Sequence, residues 1–408
     1  MKKLTLPLLI ALQTVIVNAH ATNHNESIQN QINKLKSQVG SLESNSSSSL
    51  NITSNKKAFG TIFSGGKSYT DKTTSIVEMI SNNTIKEGEN SIGGKIEGTT
   101  TADQNTPKSK DNTISKTSLA FQGQIGIISK PSNLFTTVLN FSAKDSGDRT
   151  LSTKQLYGVL GNLSYSPLYF IGGYKYIDFG YMARYSNKIT NFNRLFNSIN
   201  SAQAELGLIK NRLNIMLTAF NGNSDETYTS SNQVSNAAAN ISYTLTPLEQ
   251  LTTKIGAGAI KAINNTGALV NGQQLMLTQK RSSAWDIYQT FEYDTSNKSK
   301  LTGYIEYVQA SRNGYNNKKP SSLSSSIGYD FSLGGLDLNP SLSYSYLSGA
   351  SIYYGDTPTM NNTSTINQYV ASISTKLKGI KVGIDYGRLL ISNASNDQVG
   401  ILKAEYQF

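Results

Sequence analysis

The sequence predicts an all-β fold: a transmembrane up-and-down antiparallel β-barrel of about sixteen strands, preceded by a short N-terminal helical or coiled-coil segment. Three observations lead there. From residue 91 onward, segments alternate apolar with small or polar side chains. The connections between these segments alternate short and long. The composition also avoids charge: 15% of the 408 residues are charged and 37% hydrophobic, with 23 Tyr and 33 Gly. Soluble domains carry about 25% charge. A helical membrane protein would need runs of about 20 apolar residues, which a mean hydropathy of −0.34 does not supply.

The alternation has period two, the signature of a strand with two unlike faces. Leu119, Phe121, Ile125 and Ile127 share one face of 116–129, with Gln122 and Gln124 on the other. Phe135, Leu139 and Phe141 do the same in 134–144, and Leu213, Ile215, Leu217 and Ala219 in 212–222. In 282–294, Trp285, Ile287, Phe291 and Tyr293 oppose Asp286, Tyr288, Thr290 and Glu292. The pattern recurs in 321–333 and 380–392.

Charge decides which face meets lipid, because Lys or Arg on the lipid face near the midplane costs roughly 2–4 kcal/mol. Glu205, Lys254, Asp286, Glu292, Glu306, Asp330, Lys376, Lys381 and Asp385 all share parity with Ser, Thr, Gly or Gln, while the opposite parity stays apolar. These nine are the candidate lumen-facing charges. Trp285 and tyrosines near strand ends fit interfacial girdles.

Short turns are predicted at 130–133, 166–167, 210–211, 246–248, 295–299, 334–335 and 378–379. Longer polar loops are predicted at 101–115, 145–154, 179–199, 223–233, 263–281, 312–320, 349–364 and 393–397. Outer-membrane barrels have short periplasmic turns and long outer loops in this order.

Ahead of the barrel, Lys2 and Lys3, an apolar stretch from Leu4 to Val17 and the tripeptide Ala19-His20-Ala21 form the pattern of a secretory signal peptide, residues 1–21. In 22–43, Ile28, Ile32, Leu35, Val39 and Leu42 make a heptad seam of barely two repeats. It reads either as a small coiled coil or as a frayed amphipathic helix. Residues 44–54 read as a Ser-rich linker; the rest of 44–90 has no firm assignment, with 74–80 either a strand or a helical turn.

The chain ends Ala404-Glu405-Tyr406-Gln407-Phe408. This resembles the C-terminal strand of Gram-negative outer-membrane porins, where a terminal Phe with an aromatic two residues earlier is the assembly signal. The resemblance implies a bacterial outer membrane, with Tyr406 and Phe408 read by the barrel-insertion machinery and lipid and lipopolysaccharide as surroundings. A homotrimer is the porin-like assembly. The seam followed by a barrel is also similar to the Francisella-type family of outer-membrane surface proteins, which implies iron or siderophore uptake or host attachment.

Chemistry is mostly excluded. There is no Cys, and the two His, His20 and His24, lie near the N-terminus. Thiolate metal sites, disulfides and most imidazole-dependent triads therefore fall away. No catalytic, metal or cofactor residues are expected, and a pI of 9.4 in an exported chain does not point to nucleic acid. What remains is an aqueous lumen, which a sixteen-strand barrel is wide enough to hold, for passive passage of small hydrophilic solutes. In general porins the third long loop narrows the pore. Here 179–199 carries Arg184, Lys188 and Arg194 with no Asp or Glu, so folded inward it would favour anions; otherwise it is a solvated surface loop. The rival readings are a surface adhesin with the barrel as scaffold and a specific uptake channel for an iron chelate.

Overall fold

The computed structural model describes residues 52–53, 76–107, 114–144, 151–181, 189, 191–197, 200–223, 230–263, 268–270, 273–276, 282–296, 299–313, 318–349, 351–353, 365–392 and 395–408. The segments 1–21 and 22–43, Arg184 and Lys188 lie outside the described residues.

Sixteen antiparallel strands close into one ring. Its first half is β2 (Glu89–Pro107), β3 (Ile114–Ser132), β4 (Phe135–Lys144), β5 (Leu151–Leu160), β6 (Leu168–Tyr176), β7 (Asn200–Lys210), β8 (Leu213–Asn223) and β9 (Ser230–Leu248). The second half is β10 (Leu251–Ile260), β13 (Ala284–Ser296), β14 (Ser299–Ala310), β15 (Ser321–Leu333), β16 (Leu336–Ser348), β18 (Thr365–Leu377), β19 (Ile380–Ile391) and β20 (Ser395–Gln407). β20 pairs with β2 and closes the seam. The remaining described strands are not part of the sixteen-strand ring itself. β1 (Ile52–Thr53) runs parallel to β2 at Asn90 and Ser91. β11 (Ala268–Val270), β12 (Gln273–Met276) and β17 (Ser351–Tyr353) form a three-stranded sheet that joins two long connections.

The strands of the ring turn their apolar parity outward, and a closed ring leaves no backbone edge to lipid. Ile241, Ile255, Ile287, Ile305, Leu342, Ile373 and Ile384 lie on this outer surface. Trp285 packs against Tyr307 toward the long-loop rim, while Tyr329 with Phe331 and Tyr406 with Phe408 stack toward the short-turn rim. The Leu119–Phe121 stretch of β3 is exposed along with both faces from Ser115. At 19 residues each, β2 and β3 far exceed the 9–11 needed to span, so their hairpin stands clear of the bilayer.

Several predicted boundaries move. Strands extend into the expected loops: β2 runs to Pro107, β5 starts at Leu151, β9 at Ser230 and β20 at Ser395. The turn expected at 246–248 falls at Glu249-Gln250. Pro247, which has no N–H to give a ladder, sits in a bulge where the register shifts between Leu251 and Thr253. Within 44–90 the structure places β1, in the expected linker, and a helix, α1 (Ile76–Ser81). Of the strand or helical turn expected at 74–80, the described part, 76–80, is helix.

Candidate functional site

The lumen is layered. Toward the short turns, α1 and Ile85 pack inside the barrel against Ile128, Val138, Tyr157, Val159, Tyr169, Ile171 and Met216. Toward the long loops, Ile177, Phe179, Phe192 and Phe196 pack inside the barrel against Phe220, Ile260, Val308, Leu347, Ile366, Leu389 and Ile391. Those four loop residues belong to the third long connection, between β6 and β7. Asn, Gln, Ser and Thr line the wall between the two apolar layers, among them Asn140, Gln155, Gln203, Asn240, Thr302 and Gln368, all buried.

The third connection is fastened to the far wall by named bonds. The Tyr181 N–H donates to Glu306 Oε1 (2.6 Å) on β14, and Asn193 Nδ2 donates to the Glu306 carbonyl (2.9 Å). Ser324 on β15 donates to Asn193 Oδ1 (3.0 Å), and the Ile189 N–H reaches Asp385 Oδ2 (3.3 Å) on β19. The Tyr181 ring stacks on Tyr288 and tilts against Tyr304, with centroids 5.4 and 5.9 Å apart. Its burial in this nest pushes the Tyr181 phenol well above its ordinary pKa, so it stays neutral. Arg194 opens the short helix α2 (Arg194–Asn197), half-buried, its N–H held by Asn191 Oδ1 (3.3 Å).

The nine candidate charges divide by depth. Glu205, Lys254, Asp286, Glu306 and Asp385 are buried; Glu292, Asp330 and Lys381 are half-buried; Lys376 is exposed at the short-turn rim beside its register partner Lys381. Glu205 takes an ion pair from Lys175 (2.8 Å), which also bonds Asp178. Glu292 pairs with Lys300 (3.0 Å). These partners, like α1, were not among the expected site residues.

Nor was the cluster across the seam. Glu97 on β2 faces Glu405 on β20 directly in register. Lys403 bridges both carboxylates (3.2 and 2.7 Å), and Lys95 does so at 3.2 and 3.8 Å. Lys95 and Glu97 share one parity on β2, as do Lys403 and Glu405 on β20. Only the closure of the first strand on the last brings them together.

Among the described residues, no group of His, Asp or Glu is arranged to hold a metal ion. Nor is any described helix long and apolar enough to cross a membrane; the strands do the crossing.

No family model and no curated protein matches the chain. Solved structures do. The chain is similar to OprB of Pseudomonas putida in its high-pH structure (9% identity, 78% of this chain and 94% of that one, TM-score 0.58). It is similar to the anion-selective porin from Comamonas acidovorans (11%, 78% and 100%, 0.51) and to Salmonella typhi OmpF in complex with daunomycin (14%, 77% and 97%, 0.50). At such identities the likeness is one of fold, that of outer-membrane porins. A closed barrel of this construction with an apolar belt belongs in a bacterial outer membrane.

Proposed function

We propose that the protein is an outer-membrane channel for passive passage of small hydrophilic solutes, narrowed by its third long connection. The observation that carries this reading is the fastening of that connection inside the barrel, through Tyr181 and Ile189 N–H groups on Glu306 and Asp385. A loop bound across the lumen reduces its cross-section without closing the wall around it. Arg194 belongs to this segment, and the lumen-facing charges Glu205, Lys254, Asp286, Glu292, Glu306, Asp330, Lys376, Lys381 and Asp385 set the field that a solute crosses. A polar, hydrogen-bonding wall suits hydrated solutes and no chemical transformation.

Purified protein in planar bilayers tests this: discrete current steps with a measurable ion preference support a channel. A second reading, a surface scaffold, draws support from the apolar packing at the long-loop end and from the small sheet β11–β12–β17 between two outer connections. It predicts silence in the same bilayer. A specific uptake channel predicts steps that one solute class, such as an iron chelate, blocks.

A further inference from the structure

Apart from the apolar layer that receives the third connection, the lumen wall breaks its polar rule in a second place. On β3 to β6 and β8, near the short-turn end, the inward positions are Ile128, Val138, Tyr157, Val159, Tyr169, Ile171 and Met216. Left against water, such a patch would carry the unfavourable hydration of apolar surface that burial relieves. It is instead covered by α1, whose Ile76, Val77, Met79 and Ile80 are all buried, Met79 completely. Glu78 lies on the other side of the helix and reaches Lys254 on β10 at 3.0 Å. Lys130 Nζ holds the Ile85 carbonyl (2.9 Å), and the Gly88 N–H bonds the Lys130 carbonyl (2.8 Å), anchoring the following residues to β3. An isolated helix of six residues is not stable in water, so its fold depends on this seat.

We infer that α1 is a second filter of the channel: a stopper seated in the short-turn mouth, on a wall made apolar for it, with Glu78 and Lys254 fixing how far it reaches across. This rests on the channel reading. Short turns face the periplasm in barrels of this type, so a solute passing the third connection would then have to pass beside α1. Loss of the Glu78–Lys254 contact or of the Met79 seat should release the helix and widen that mouth.

The absence of Cys makes the test direct, because an introduced thiol is unique. Full-length Met216→Cys, purified from outer membranes, is treated with a charged maleimide, alone and combined with Met79→Asp, Glu78→Lys or Lys254→Glu. The expected result is labelling about tenfold faster in each combination, as for a local opening, with single-channel conductance raised about twofold. Because Met79→Asp could impair folding, the reciprocal swap Glu78→Lys with Lys254→Glu provides the second arm: it should restore both slow labelling and wild-type conductance. Unchanged labelling in the variants, or faster labelling with unchanged conductance, overturns the filter. Absence of current steps from every form overturns the channel reading itself, and labelling still decides whether α1 covers its seat.

Discussion

Phe408 lies across Gly94. A Cβ built on Gly94 would stand 2.2 Å from the tip of the Phe408 ring, and the two backbones exchange N–H···O=C bonds of 2.9 and 3.0 Å. This pair extends the β20–β2 ladder by one step beyond Lys95 and Gln407, and Tyr406 stacks on the same ring at 6.0 Å. The assembly signal expected at Tyr406 and Phe408 therefore also has a structural place, at the seam. Gly94→Val should push the ring off its seat and cost about 1–3 kcal/mol, read as a smaller folded fraction by heat-modifiable gel mobility and a lower urea midpoint. Gly123→Ala, where a Cβ meets nothing within 4 Å, is the control and should behave as wild type.

The seam carries a second fastening, electrostatic rather than steric. Glu97 and Glu405 face each other in register, and like charges directly opposite are destabilising unless bridged. Lys403→Met removes the cation within 3.2 Å of both. A loss of about 1–3 kcal/mol is expected, between the limits for exposed and fully buried pairs. Adding Glu97→Gln to Lys403→Met should recover part of it. A double-mutant cycle in urea that shows no coupling would dismiss the bridge.

Glu306 holds the third connection by two different atoms, its carboxylate on the Tyr181 N–H and its carbonyl on Asn193. Glu306→Ala removes the first, a hydrogen bond to a charged acceptor worth about 1.5–3 kcal/mol, and leaves the second. The loop should then fluctuate while staying partly fastened. Single-channel records should show greater open-state noise and a modest rise in conductance, with the thermal stability of the barrel little changed. Identical noise in variant and wild type would mean that this bond does not govern the pore.

Strand parity was legible because lipid imposes it: the opposition of Trp285, Ile287 and Phe291 to Asp286, Tyr288 and Thr290 needs no tertiary knowledge. The position of the third connection between the fifth and sixth strands of the ring was legible from counting loops, but its entry into the lumen and its partners were not. Glu306 and Asp385 read as charges facing water, and nothing local says that backbone amides 125 and 196 residues away cover them. The helix α1 was ambiguous for another reason. Six residues are too few to separate period 3.6 from period two. Its destination was written on the other side of the contact, in Val138, Val159, Ile171 and Met216, apolar residues on the parity that is polar in the middle of the wall. One further signal was available. Tyr169 stands opposite Gly207 and Tyr288 opposite Gly256, each ring lying where a glycine leaves room; such aromatic–glycine pairs mark register as well as burial.

Arg194 tests the sign of the field in the narrow zone. Residues 179–199 contain three basic groups and no acid, but the wall presents Glu306 and Asp385 to the N–H groups of Tyr181 and Ile189 in the same connection. The net preference is a difference between opposed contributions, so removing one charge should move it measurably. Arg194→Gln should shift the reversal potential in a KCl gradient toward cations, by about two- to threefold in permeability ratio, equivalent to about 0.5 kcal/mol. A change in pore width would also alter selectivity, and salt separates the two causes. At about 0.1 M the screening length is near 10 Å, and at 1 M near 3 Å. A charge effect should therefore be large in dilute salt and fade in concentrated salt, whereas a change in width should scale conductance at both. A shift that persists undiminished at 1 M, or none at 0.1 M, would remove Arg194 from the narrow zone.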